Sequence, residues 1–213
     1  MRNVLLLAAC CLLLALRPVA AEGQGPCNVS LVVLGIAQDA GKPQLGHPED
    51  PAWQDSSLER MAASIAVIDN RVQPTQRFLF EATPDIKRQV QLLDVLFPTS
   101  EYVGLNGIFL THAHMGHYTG LMHIGFEAAR TDSVPVYAMP AMKDFLETNG
   151  PWDQLVNYEN IEIRELRDQQ SVSIGADISV TPFLVPHRRE YSETVGFIVD
   201  GPERSAVFLP DIN

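Results

Sequence analysis

Three of the chain's six histidines fall inside Thr111-His112-Ala113-His114-Met115-Gly116-His117-Tyr118-Thr119-Gly120. A neutral imidazole is the commonest protein ligand for a transition metal. His112 and His114 are two apart, so in an extended segment both rings point the same way. His117, placed where a helix would open, can swing its ring back toward the same point. Three neutral imidazoles converging on one spot suit zinc or a similar borderline metal. A lone histidine at a loop would be an ordinary polar residue. Three in H-x-H-x-x-H spacing behind a buried strand specify a metal site.

Two later places can add donors. Val185-Pro186-His187 follows an apolar stretch, 177–184, and puts His187 just past a buried strand, as His112 is. Ala206-Val207-Phe208-Leu209-Pro210-Asp211 ends an apolar strand on a carboxylate, a hard oxygen ligand able to bridge two metals. Asp39 and His47 share the first long loop and are candidate substrate contacts, from loop position alone. His123, six residues past His117, packs on a helix face. Arg188, Arg189 and Glu190 read as a solvated charge run.

The elements that must position these groups follow from apolar periodicity. Gly107-Ile108-Phe109-Leu110-Thr111 is apolar and β-branched, a buried strand leading into the histidines. His117 to Arg130 carries helical spacing, with Leu121, Ile124 and Ala128 on one face. Upstream, strands are expected at Asn28 to Ile36, Ser64 to Asp69 and Arg77 to Glu81. The loop from 37 to about 56 holds Asp39 and His47. A helix runs from Thr83 or Pro84 to Phe97, stopped by Pro98. Downstream come a strand at Val134 to Ala138, a helix at Pro140 to Thr148 opened by its proline, and strands at 161–166, 171–174, 177–184, 194–200 and 205–209. Strands interleaved with helices and then more strands suggest sheets with helices packed outside, in an α/β (α+β) domain.

Met1-Arg2-Asn3, the 13-residue apolar run Val4 to Leu16, and the small-residue exit Val19-Ala20-Ala21 read as a signal peptide over 1–21. The run is too short to span a bilayer comfortably. The remainder, 22–213, reads as one domain, secreted or periplasmic, with no stable membrane span after cleavage. At 46% hydrophobic and 19% charged residues it can bury a substantial core. Cleavage would remove Cys10 and Cys11 and leave Cys27 alone, which excludes both a disulfide framework and a cysteine-rich zinc site. With Arg2 and Arg17 gone and no acid lost, the formal charge moves from −11 to −13. That acidity argues against nucleic acid and for a small-molecule substrate.

The histidine stretch, continued to Leu121, resembles the H-x-H-x-D-H signature of the metallo-β-lactamase superfamily. The later His187 and Asp211 are similar to that family's successive metal motifs. Gly196-Phe197, nine residues past His187, resembles the branch that holds the long-form tRNA-processing nucleases and the pyrroloquinoline-quinone biosynthesis protein B. Leu34-Gly35-Ile36-Ala37 and Gly41-Lys42-Pro43-Gln44 are similar to the first loop of the latter. The resemblance implies an αββα sandwich in which His112, His114 and His187 hold one metal, Asp211 bridges, and His117 serves a second. The metal would be zinc, one or two ions, or iron. Three departures accompany it. Gly116 stands where the family has an acid, so Asp211 is left as the catalytic carboxylate that positions water. On that view Gly116→Asp should raise second-metal occupancy. Leu45-Gly46-His47 stands where the biosynthesis protein has a cysteine cluster. The family's last metal histidine, closing strand and helices belong beyond Asn213, so the C-terminal part of the sandwich is expected to be truncated.

The leading expectation is a metal-dependent hydrolase whose metal activates water against an ester, thioester, lactam or phosphodiester. The alternatives are an iron-dependent, hydroxylase-like enzyme related to quinone-cofactor biosynthesis, and a metal-binding module without turnover.

Overall fold

The computed structural model describes residues 28–213. The expected signal peptide and Cys27 lie outside them. Two sheets form. The first has six strands: β1 (Val29–Gly35), β2 (Ser64–Asp69), β3 (Gln76–Phe80), β4 (Gly107–Phe109), β5 (Val134–Ala138) and β6 (Ile161–Glu165), side by side in that order. The pairs β1–β2 and β2–β3 are antiparallel, and β3 through β6 run parallel. The second sheet is antiparallel, in the order β10 (Ser205–Phe208), β9 (Val195–Asp200), β8 (Ile178–Leu184) and β7 (Val172–Gly175).

Strand alternation sorts the first sheet's side chains onto two cores. Ile65, Val67, Phe78, Phe80 and Phe109 face the second sheet and meet Ile178, Val180, Val195, Phe197 and Phe208. Phe80 stacks on Phe109 at 4.8 Å and Phe109 on Tyr137 at 4.2 Å, while Phe197 meets both phenylalanines edge-on at 5.6 Å. Each fully buried phenylalanine contributes about 1.5–3 kcal/mol. The opposite face, with Ala66, Ile68, Leu79, Ile108 and Val136, packs against the helices. The described residues thus supply an α, a β and a β layer. Among them no helix of length and apolarity to cross a membrane occurs.

Helix α1 (Ile86–Leu96) buries Ile86 and Leu93 at helical spacing. Pro98 restricts Phe97 to a non-helical conformation and ends it. Helix α3 (Pro140–Thr148) opens on its proline and buries Met142 and Leu146. The helix expected over His117 to Arg130 does not form as such. Instead α2 (Met115–Tyr118) gives way to a 3-10 turn, Thr119–His123. Three glycines at 116, 120 and 125 weaken any helix here by roughly 1 kcal/mol each. Only Leu121 and Ile124 of the expected face are buried, and Ala128 is exposed. The five-residue α4 (Asp153–Asn157) was not expected, being shorter than any periodic signal.

Candidate metal centre

Both sheets end their strands at one mouth. Past β4 the chain stays extended through His114, whose φ and ψ are −91° and 143°, and then turns into α2. Extension puts the rings of His112 and His114 on one side, so that His112 Nε2 lies 2.8 Å from His114 Nδ1. His117 is the third residue of α2. Its carbonyl accepts from Ala82 N at 2.9 Å, and Gly120 N donates to Ala82 O at 2.8 Å. These bonds pin the turn against the end of β3. The approach demands Gly120, because a Cβ there would lie 2.1 Å from Thr83 O. From the second sheet, His187 follows β8 and Asp211 follows β10. Val195 N to Thr111 O, at 3.2 Å, ties the two sheets together beside the cluster.

The result is two donor sets. His112, His114, His187 and Asp211 bring ligand atoms within 4.8 Å of one another, and so do Asp39, His117 and Asp211. Asp211 Oδ2 belongs to both, at 3.5 Å from His112 Nε2, 3.3 Å from His187 Nε2 and 3.5 Å from His117 Nε2. His187 Nε2 is 3.2 Å from His114 Nδ1. In a tetrahedral zinc site with bonds of about 2.0–2.1 Å, neighbouring donors stand about 3.3 Å apart. The first set therefore has the spacing of a metal's coordination sphere.

The outer nitrogens are held in place. His112 Nδ1 meets Thr111 Oγ1 at 2.9 Å, His114 Nε2 meets Glu190 Oε2 at 2.8 Å, and His187 Nδ1 meets Asn213 Oδ1 at 2.9 Å. Such partners fix ring orientation and leave the inner nitrogen free to ligate. Glu190 corrects the sequence expectation of a solvated charge run. The His114 hydrogen bond holds its carboxyl below the usual glutamate range. Arg188, one of the two arginines of that run, pairs with Glu190 at 3.1 Å.

Glu81 was missed altogether. It follows β3 immediately, is fully buried, and takes φ = 77°, a strained conformation for a residue with a Cβ. Its Oε1 accepts from Thr111 N at 3.0 Å. Its Oε2 lies 3.1 Å from His117 Nδ1, close enough for an ion pair but outside hydrogen-bond geometry, which leaves both ring nitrogens of His117 without a hydrogen-bond partner. The signal was available, since a carboxylate closing an apolar strand is the pattern that singled out Asp211.

Burial pushes His112 down to about 2, helped by its neighbours His117, His114 and His187, so this ring is neutral and ready to ligate. For His117 burial also works downward, but the Glu81 carboxylate, then Asp211 and Asp39, outweigh it and lift the imidazole to about 9. Burial raises Glu81 itself, against the pull of His117. Three carboxylates around one buried imidazole with orphaned nitrogens form a pocket that demands positive charge. A divalent cation fits that demand, and the donors present fit a metal at both sets.

Of the two residues expected from the first loop, Asp39 enters the cluster, 3.6 Å from His117 Nε2. His47 does not join it; it is exposed, and its carbonyl accepts from Trp53 Nε1 at 2.9 Å. His123 is half-buried and stands outside both donor sets. Gly116 lies directly against Asp39: a Cβ on Gly116 would fall 2.3 Å from Asp39 Cβ and 2.5 Å from its Cα. The room that an acid at position 116 would need is already occupied. Gly116→Asp, expected to raise second-metal occupancy, would therefore have to displace Asp39.

Comparison with known proteins agrees with this architecture. A family model described as the beta-lactamase superfamily domain matches residues 76–213. Ribonuclease Z of Treponema pallidum is 26% identical over 137 residues, covering 62% of this chain and 41% of the relative. Ribonuclease Z of Treponema denticola is 26% identical over 111 residues, covering 50% and 35%. The chain therefore spans well under half the length of the curated relatives it matches. Among solved structures, zinc-bound PqqB from Methylobacterium extorquens superimposes with a TM-score of 0.68 at 22% identity, covering 85% of this chain and 65% of that one. A diphosphatase from the PhnP family gives 0.56 at 20% identity, covering 80% and 62%. With more than half its length matched by the family model, and with two sheets meeting at a His/Asp cluster able to hold metal, the chain belongs to the beta-lactamase superfamily.

Proposed function

We propose that the protein is a metal-dependent hydrolase, with His112, His114, His187 and Asp211 as one ligand set. The observation that carries this reading is the place of Asp211 Oδ2, between 3.3 and 3.5 Å from Nε2 of three different histidines. A bound zinc-like ion supplies Lewis acidity, activating water and polarising the substrate's carbonyl or phosphoryl oxygen. The chain's own groups do the rest. Asp211 places a carboxylate at the junction of the two sets, where it can accept a hydrogen bond from attacking water and keep that water in line. Thr111, Glu190 and Asn213 keep three imidazoles aimed inward. Buried His112 and His117 form the dry floor, where such charges act with little screening.

The substrate is a small ester, thioester, lactam or phosphodiester. The chain's acidity favours a small molecule over a polyanion. The sequence relatives, however, are ribonucleases Z, so the exclusion of nucleic acid gains no support from them. RNA therefore enters the screen. The basic start, short apolar run and small-residue exit of 1–21 support export, to the periplasm or the medium. The test is metal content by elemental analysis, followed by assays of lactam, thioester, phosphodiester and RNA probes. Zinc with turnover of any probe, lost in His112→Ala/His114→Ala, is the expected result. About one iron per chain with oxygen uptake would move the reading to oxidative chemistry. Metal without turnover of any probe would leave a binding module.

A further inference from the structure

The second donor set lacks the acid that the histidine motif would ordinarily supply, since position 116 is glycine. Among the described residues one other carboxylate, apart from the shared Asp211, reaches the accessible side of His117, and it comes from a different part of the chain. Asp39 Oδ1 lies 3.6 Å from His117 Nε2, and Asp211 Oδ2 lies 3.5 Å from the same nitrogen. His117 is 3% exposed; its Nδ1 is backed by Glu81 Oε2 at 3.1 Å, while its Nε2 has no hydrogen-bond partner and faces these two carboxylates. A buried ring in that condition points to a ligand.

Asp39 is not a wandering loop residue. Isolated bridges join Ala37 to Ala62 and Lys42 to Arg60 on either side of it. Between them Gly41 N donates to Gln38 O at 2.7 Å, closing a tight turn with Asp39 inside it. Asp85 Oδ2 accepts from Ala62 N at 2.8 Å and anchors the segment that the turn leans on. Asp39 is thus presented by a braced turn, and its Cα and Cβ occupy the space beside Gly116.

We propose that Asp39 is the relocated carboxylate of a second metal site made by Asp39, His117 and the bridging Asp211, and that Gly116 is glycine because Asp39 must seat against it. The inference rests on the metal-centre reading above and adds to it a ligand, a stoichiometry and a role for Gly116. It makes the absence of an acid in the histidine motif an exchange of one carboxylate source for another, and the centre a two-metal one.

Three proteins separate the possibilities, each titrated calorimetrically with Zn²⁺ alone and followed by the visible spectrum on Co²⁺ loading. Native protein is expected to take two equivalents. Asp39→Ala removes a donor from a half-exposed turn and is expected to keep the first equivalent while weakening the second at least tenfold. Gly116→Ala changes no donor atom, and alanine favours the α2 helix over glycine. It is nevertheless expected to weaken the second equivalent to a similar extent, because its Cβ displaces Asp39. Two undiminished equivalents in either variant would overturn the proposal and leave the metal centre standing. A single equivalent in native protein would also overturn it. No metal in native protein would bring down both the proposal and the reading it rests on.

Discussion

Glu81 Oε2 stands 3.1 Å from His117 Nδ1 with both side chains sealed from solvent, and Glu81 Oε1 simultaneously holds the backbone N–H of Thr111. One carboxylate therefore braces both the strand that delivers His112 and the turn that delivers His117. Glu81→Gln keeps the shape and an acceptor for Thr111 but removes the charge that aims His117. It should weaken metal binding at His117 about 10- to 100-fold while largely sparing the first set. Glu81→Ala leaves Thr111 N–H and the His117 ring without that partner in a dry site and should cost about 2–4 kcal/mol. Calorimetric zinc titration and urea unfolding check the two halves separately. Unchanged binding in Glu81→Gln would show that Glu81 only supports the fold.

Glu190 touches His114 from the rim, where its own carboxylate is exposed. Glu190→Ala should lower affinity at the first metal set about tenfold, because the His114 ring loses the partner that fixes its tautomer. The thermal midpoint of the metal-free protein should stay put, since an exposed contact of this kind stabilises little. A lowered midpoint with unchanged affinity would reverse the assignment.

The positions of the strands were legible in the sequence because each is a short apolar, β-branched run bounded by turn residues. Ser64–Asp69 and the run of late strands emerge within a residue or two of where they were expected. The histidine cluster was legible for a related reason. Its spacing sits next to a buried strand, and a strand end fixes where its side chains point. The helix over His117 to Arg130 was misread because apolar spacing alone outvoted three glycines. The roles of Glu190 and Asp39 were out of reach. Glu190 meets His114 across 76 positions, and Asp39 meets His117 across 78. No local pattern encodes either pairing: the first depends on the β8–β9 connection of one sheet closing on the other, and the second on the ends of β1 and β4, which lie apart in the six-stranded sheet.

Arg77 makes a prediction far from the metal donors. It lies on β3 with its side chain wholly buried, donating to Gly104 O at 2.7 Å, to Val103 O at 2.7 Å and to Asp94 Oδ1 at 2.6 Å. It thereby holds the loop leading into β4, the strand that leads to the histidines. Arg77→Met fills most of the volume but leaves the buried Gly104 carbonyl and the partly buried Val103 carbonyl unpaired, while the half-exposed Asp94 turns to water, and should cost about 1–3 kcal/mol. The loss should appear in the urea midpoint, with zinc stoichiometry unchanged in the folded fraction. A loss below about 0.5 kcal/mol would mean that water replaces the guanidinium at no cost.

Metal removal tests the coupling between the centre and the fold. Donors reach it from both sheets: His112, His114 and His117 beyond β4, His187 beyond β8 and Asp211 beyond β10. A bound ion therefore stabilises the closed mouth by mass action, about 4 kcal/mol when free metal exceeds its dissociation constant 1,000-fold. For a domain of this size that corresponds to roughly 8–16 °C in the thermal midpoint. Treatment with a chelator should lower the midpoint by that amount, and added zinc should restore it. His112→Ala/His114→Ala protein should melt at one temperature with or without zinc. A chelator-insensitive midpoint in native protein, with no metal found by elemental analysis, would make the histidine cluster a relic and remove the basis for hydrolysis.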